Sequence, residues 1–333
     1  IPAVLQDSDG QPLDQAVAML RKSYRFAEGS GIRHLAEAVN TNTLDADTLQ
    51  QARNASFEDV VWLHGRNKKP TLEDTQALIC SHAVDGSRQA FNNSGEGRID
   101  GHGQPLPPPV GYRHYLSLMQ DHNLNSNSPT EQWNQLAKSV LQAFGDFQIL
   151  CALRRGPWGV EGLNDLIAQR LMAQRLIPRA EGWYAGRPVL VTGNDYNLGL
   201  MNGDVGITFS VPWGTNPQSD DEKTPTVLRV AFPTSDGSGD IRWISPSRLQ
   251  QLETVYAMTV HKSQGSEFNH TCLILPDRLS PVLTRELIYT GITRARHWFS
   301  LITGDASVFS NSVEQRVVRA SGLGAVLEGP PAG

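Results

Sequence analysis

The sequence predicts an α/β protein in which a parallel-sheet domain carries a small inserted β-barrel, and three observations carry that expectation. Short apolar runs of strand length, FQILCAL at 147–153, TCLILP at 271–276 and HWFSLIT at 297–303, alternate with stretches of helical periodicity, the pattern of strands buried on both faces. From Arg187 to Leu249, RPVLVTG, DVGITFSV, TVLRVAF and DIRWI read as short strands punctuated by NGDVG, NPQSDD and SDGSG. With 333 residues and 39% hydrophobic content, the chain is long enough for two modest cores.

Taken in order, the first expected element is a helix over Asp14–Lys22, followed by SYRF in a turn and a second helix over Gly31–Val39, with Ile32, Leu35, Ala36 and Val39 on one face. NASFEDVV at 54–61 is a candidate strand. The stretch from Gly65 to Pro109 has few apolar residues and ends in GHGQPLPPP, so 65–130 is read as a variable, loop-rich region, although 111–122 carries a helical pattern. A helix over 130–144, capped by Ser128 or Thr130, turns Trp133, Leu136, Val140 and Leu141 inward. FQILCAL, the glycine-rich turn RRGPWGVEGLN and a helix to about Arg175 form a strand, loop and helix unit. After the short strands come VYAMTV, a helix beginning near Lys262, TCLILP, a helix over Thr284–Arg296, HWFSLIT and a closing helix from Asp305. The sheet domain is thereby assigned 1–202 and 252–325, and the barrel 203–251.

The net charge of −5 argues against a blanket electrostatic grip on nucleic acid, though a basic groove can sit in an acidic surface. Cys80, Cys151 and Cys272 are odd in number and lack zinc-ligand spacing, which fits thiols in a reducing cytoplasm and predicts no metal site. No apolar stretch approaches the roughly 18 residues that span a bilayer, so no membrane role is expected. The chain starts at Ile1 without a methionine or a secretion signal, and is expected to be part of a longer protein.

The chemistry concentrates in VYAMTVHKSQGSEF, 255–268, where a strand runs into a polar, glycine-containing turn. Ligands gather at the carboxyl ends of strands in α/β sheets, and helix starts there hold anions. Gly265 permits close backbone approach, while Thr259, His261, Lys262, Ser263 and Gln264 offer polar and cationic contacts to a nucleic-acid backbone. The residues alone say no more than an anion site, and a capped helix start with solvated polar groups explains them as well. Arg25 alone reads as a surface arginine paired with Glu28 or Asp14. Trp158 and Tyr196 are each either a stacking surface or a hydrophobic plug.

The order of three strings is more specific. LRKSYRF resembles helicase motif IV, TVHKSQGSEF motif V and RELIYTGITRAR motif VI of superfamily one. Together with QILCALRRGPWGVEGLN, GRPVLVTGNDYNLGLMNGDVGI and ISPSRL, they are similar to the RecD family, the alpha subunits of exodeoxyribonuclease V, from about Leu20 to Leu323. A phosphate-binding loop G-x-x-x-x-G-K-[ST] is nowhere in these 333 residues.

The resemblance implies a RecA-like second motor domain with an SH3-like inserted barrel, in a 5′ to 3′ DNA helicase that uses ATP and Mg²⁺ and acts in double-strand break repair and recombination. It implies that Arg25 and Arg294 reach the γ-phosphate of a nucleotide held by a first motor domain, as transition-state cations. Gly265 and Glu267 would then face the nucleotide, and Thr259, His261, Lys262, Asn194 and Asn202 single-stranded DNA. The other exodeoxyribonuclease V subunits, RecB and RecC, are the implied partners. On this basis the chain by itself is not expected to hydrolyse ATP, and in the complete enzyme Arg294→Ala is expected to leave folding and DNA binding nearly intact while ATP turnover falls at least about a hundredfold.

Two alternatives stay open: a stand-alone RecD-like helicase without nuclease partners, and a non-catalytic single-stranded-DNA-binding module. No G-x-S-x-G elbow, H-E-x-x-H pair or EF-hand loop is present, so hydrolases built on those sites are excluded.

Overall fold

A computed structural model describes residues 29–54, 56–63, 70–100, 103–212, 225–234 and 239–317. The expected helix over 14–22, SYRF and Arg25 lie outside the described residues.

Helix α1 (Gly31–Thr41) starts where the Ser30 hydroxyl accepts from the Arg33 N–H, and it buries Ile32, Leu35, Ala36 and Val39 as its periodicity requires. Helix α2 (Ala46–Arg53) is capped by Asp45 and leads to strand β1 (Val60–Leu63), buried along its whole length. Within the region read as loop-rich stands a 14-residue helix, α3 (Leu72–Asp85). Thr71 and Asp74 close a reciprocal capping box at its start, so two otherwise orphaned N–H groups are satisfied. Helix α4 (Arg113–Gln120) follows, then α5 (Thr130–Gly145), whose N-cap is Pro129 with no side-chain cap bond; the expected Ser128 hydroxyl instead accepts from Asn125 N–H at 3.0 Å.

Strand β2 (Phe147–Cys151) and helix α6 (Val160–Ala173) form the expected strand and helix unit. Five strands then alternate in direction: β3 (Pro188–Val191), β4 (Val205–Pro212), β5 (Thr226–Pro233), β6 (Ile241–Ile244) and β7 (Leu252–Thr254). The chain returns to the parallel sheet through β8 (Ala257–Thr259), β9 (Phe268–Leu275), helix α7 (Arg285–Ile292), β10 (Ala295–Thr303) and α8 (Ala306–Glu314).

The first sheet has the order β1-β10-β9-β2-β8 and is parallel throughout; the second, β6-β5-β4-β3-β7, is antiparallel. The antiparallel sheet therefore extends from Pro188 to Thr254, wider than the 203–251 expected for a barrel, because β3 and β7 pair with each other as its far edge. Among the described residues β6 and β7 do not pair, so the ladder is not closed.

Alternation along these strands makes two cores from one sheet. Leu190, Ile207, Phe209 and Ala231 join the main core against α4 and α5, whereas Val189, Val191, Val230, Phe232 and Ile244 point the other way and meet Leu198 and Leu200 in a smaller one. The antiparallel unit is thus fastened to the parallel sheet through one face; Trp243 Nε1 adds a hydrogen bond to Asn134 Oδ1 of α5 at 2.8 Å.

The main core also holds two histidines. His82 of α3 and His270 of β9 meet edge to face at 5.2 Å, and His270 Nε2 bonds Ser300 Oγ at 2.7 Å. Burial pushes the His270 imidazole down to about 3 and the His82 imidazole well below the usual histidine range. No described helix is long and apolar enough to cross a membrane.

Candidate functional site

The expected helix beginning near Lys262 does not form. Residues 260–265 make successive tight turns, closed by Lys262 N–H to Thr259 O at 3.0 Å, Ser263 N–H to Val260 O at 3.2 Å and Ser266 N–H to Ser263 O at 3.0 Å. Gly265 sits at φ +90°, a left-handed conformation costly for other residues, and Phe268 N–H then pairs with Arg294 O at 2.9 Å to start β9. A helix has no room: β8 and β9 flank β2 on its two sides, and only eight residues, 260–267, join them.

Parallel strands ordinarily need a crossover of about a dozen residues or more. Here Thr259 lies level with Cys151 and with Ile274, so Phe268 is six residues further down the sheet. At about 3.3 Å per residue the link descends roughly 20 Å, from the carboxyl edge to the amino edge. The reading of 255–268 as one anion site at a carboxyl end is therefore corrected. Thr259 and His261 are at that edge, whereas Glu267 and Arg294 immediately precede β9 and β10 at the opposite one, and Gly265 lies on the link between them.

At the amino edge the two strings clasp each other. Arg294 follows α7 in the turn before β10, not on the helix as expected, and is only 9% exposed. Its Nη1 donates to Ser266 O at 2.9 Å and its Nε to Thr290 O at 3.2 Å. Arg296, on β10, pairs through Nε with Glu267 Oε2 at 3.0 Å. Gly265 is exposed, and a Cβ built there would meet nothing within 4 Å, so the backbone faces open space. A guanidinium, a carboxylate and an open stretch of backbone converge here, a set suited to a polyanion and its sugar.

At the carboxyl edge Thr259 is buried and its hydroxyl accepts from Lys262 N–H at 3.3 Å, while His261 is exposed. Lys262 Nζ is held by Glu253 Oε2 at 2.6 Å. The other oxygen of Glu253 takes Arg154 Nη2 at 3.2 Å, so one carboxylate carries two cations. Neither Arg154 nor Glu253 was singled out in the sequence, although an RRG string directly after an apolar strand was the available signal. Asn194 and Asn202 are exposed and come together: Asn194 Oδ1 accepts from Asn202 N–H at 2.8 Å. They sit past the ends of β3 and β7, adjoining Gln251, whose carbonyl accepts from Thr192 N–H at 3.0 Å. Trp158 is 6% exposed and packs where Gly304 leaves room, which makes it a plug. Among the described residues no cluster of three potential metal ligands occurs.

The family model described as "UvrD-like helicase C-terminal domain" matches residues 254–302, the segment that carries both edges of the site. The chain is 34% identical over 324 residues to the RecBCD enzyme subunit RecD of Haemophilus influenzae, covering 95% of this chain and 42% of that one. It is 32% identical over 182 residues to the ATP-dependent RecD2 DNA helicase of Deinococcus radiodurans, covering 54% of this chain and 23% of that one. Among solved structures, a Pif1 helicase from Bacteroides in complex with ADP-AlF3 and ssDNA covers 81% of this chain and 56% of its own at 14% identity and a TM-score of 0.31, too distant to bear weight. The chain spans less than half the length of the RecD relatives it matches.

Proposed function

This chain is RecD-like along nearly its whole length, matching the C-terminal part of that helicase subunit, and from that premise we propose that it forms the second half of an ATP-dependent DNA helicase motor. The observation that carries this reading is the eight-residue link, which puts DNA-suited groups at one edge of the sheet and nucleotide-suited groups at the other. At the amino edge Arg294 and, from outside the described residues, Arg25 would complete a pocket whose other wall is a first motor domain. Gly265 and Glu267 would line that pocket, and their open backbone and carboxylate fit a nucleotide. ATP with Mg²⁺ would supply the phosphoryl transfer that drives stepping. At the carboxyl edge Thr259, His261, Lys262, Asn194 and Asn202 would grip a single strand of DNA, with Arg154 added by the geometry.

The finer parts of the reading are proposals of the same kind. The antiparallel unit would be an SH3-like module beside the DNA path, movement would run 5′ to 3′, and RecB and RecC would be the partners in double-strand break repair and recombination. The free, buried Cys80, Cys151 and Cys272 suit the reducing cytoplasm where such a complex would work. The stand-alone RecD-like branch is favoured less, because the RecD2 match covers 54% of this chain where the RecD match covers 95%. The non-enzymatic alternative is a module that binds single strands without hydrolysis.

The test is Arg294→Ala in a complete subunit that encodes the phosphate loop. ATP turnover is expected to fall at least about a hundredfold, as for loss of a transition-state cation, while oligothymidylate binding persists. Unchanged turnover would remove Arg294 from the site. A chain with no such loop encoded before it, binding single strands all the same, would favour the module.

A further inference from the structure

Among the described residues Tyr196 is the most exposed large apolar side chain, at 78%. The ring is nevertheless held in place. Asn194 Nδ2 donates to Tyr196 Oη at 3.2 Å, and the same side chain accepts from Asn202 N–H at 2.8 Å. The loop that carries it is closed twice between Asp195 and Leu200, by N–H to O bonds of 2.8 and 2.9 Å in the two directions. Asp195 Oδ1 caps Asn197 and Leu198 N–H, Arg242 Nη1 binds the carbonyls of Leu198 and Gly199 at 2.7 and 2.6 Å, and Gly199 adopts φ +61°. Leu198 and Leu200 anchor the loop in the smaller core.

A fixed loop that presents an aromatic face to water is pre-organised to bind, since little entropy remains to be lost on contact. We propose that Tyr196 is a stacking platform for one base of a single strand of DNA, a refinement that rests on the single-strand reading above. Three observations favour a base over a phosphate. The charged groups of the loop are Asp195, Asp204, which accepts from Met201 N–H at 2.8 Å, and Arg242, whose Nη1 is already engaged by the Leu198 and Gly199 carbonyls, so two carboxylates stand against one bound cation and a phosphate is disfavoured there. The flanking groups are the amides of Asn194 and Asn202, suited to the polar edge of a base. Finally, the loop follows directly on β3, whose Leu190 pairs with Glu253, so it stands beyond the end of the strand that runs beside the carboxylate holding Lys262 and Arg154. Cations at one point and a flat ring further along are the two parts of a sequence-tolerant single-strand track.

The experiment is fluorescence anisotropy of labelled oligothymidylate with the full chain, for the wild type, Tyr196→Ala and Tyr196→Phe, repeated with an abasic strand of the same length and over a range of salt. Tyr196→Ala is expected to weaken oligothymidylate binding roughly 5- to 150-fold, with the salt dependence unchanged, and Tyr196→Phe to stay near the wild type. The abasic strand is expected to bind wild type and Tyr196→Ala alike. Equal binding of oligothymidylate by wild type and Tyr196→Ala would overturn the stacking role and leave the single-strand reading standing. An equal loss on the abasic strand would overturn it as well, by showing that the ring serves the backbone grip or a different contact. A wild type that binds no single strand would overturn the underlying reading and the platform with it.

Discussion

Arg294 donates through Nη1 to the carbonyl oxygen of Ser266 at 2.9 Å, fastening the turn after α7 to the end of the link that precedes β9. Arg294 is itself buried while the bond is partly so, and a backbone bond from Phe268 N–H to Arg294 O lies beside it. The side chain proposed to reach a nucleotide is therefore also part of the local architecture.

A consequence for stability follows, against the sequence expectation that Arg294→Ala leaves folding intact. Removing the guanidinium takes away donors to the Ser266 and Thr290 carbonyls; hydrogen bonds to charged groups are worth roughly 1.5–3 kcal/mol each, and two part-buried ones at the low end of that range make a loss of about 3 kcal/mol. Denaturant titration measures it directly. Arg294→Lys should recover part of the loss; an alanine variant as stable as the wild type would show that these bonds contribute nothing net.

Glu253 restrains two cations at the carboxyl edge, Lys262 and Arg154. Glu253→Gln releases both, so single-stranded DNA should bind more tightly. The slope of log K against log salt should steepen by up to about 1.4, from about 0.7 for each cation set free to meet a phosphate. A flatter slope would place the DNA path elsewhere.

The His82 and His270 pair predicts loss of stability in acid. Unfolded histidine titrates near 6.5, whereas burial holds both imidazoles lower in the fold, His270 at about 3. Above about pH 6.5 both are neutral in either state and contribute no pH dependence. As pH falls toward 3 the unfolded chain takes up protons that the folded one refuses, and stability declines by up to about 1.4 kcal/mol per unit for each histidine. Denaturation midpoints at successive pH values would show this, and His82→Leu should flatten the decline.

Asp59, 2% exposed, accepts from Gly31 N–H at 2.9 Å and Ser30 Oγ at 2.6 Å at the start of α1, and Arg98 Nη2 stands 3.7 Å away. Asp59→Ala strips the helix start of its carboxylate and Arg98 of a partner. A cost of about 3 kcal/mol is expected from the lost charged bonds and dipole contact. Hydrogen exchange should report earlier opening of α1; unaltered exchange there would refute the role.

Much of the sheet was legible because its strands hold short runs of mostly apolar residues: FQILC, the LIL of β9 and the FSLIT of β10 are all buried. The α3 helix was missed although Thr71 and Asp74 spell a capping signature, since Gly65 to Pro109 as a whole is poor in apolar residues. The supposed helix at Lys262 failed for a reason no local pattern contains: β9 pairs with β2, and that long-range pairing fixes how far the chain must travel in eight residues. The pairing of β3 with β7 likewise decided the extent of the antiparallel unit. Among the site residues, motif strings located Arg294, Glu267 and Gly265, but the partners that hold them, Ser266 and Arg296, and the sharing of Glu253 by Arg154 and Lys262, depend on tertiary geometry.

The link between Thr259 and Phe268 joins the two rims of the sheet directly. Residues 260–265 turn and Ser266 and Glu267 carry the chain on, so nine Cα steps cover roughly 20 Å where a fully extended chain would reach about 30 Å. With no helix between the rims, the upper one has a short covalent route to the backbone that Arg294 holds, and residues spliced into this stretch would lengthen that route.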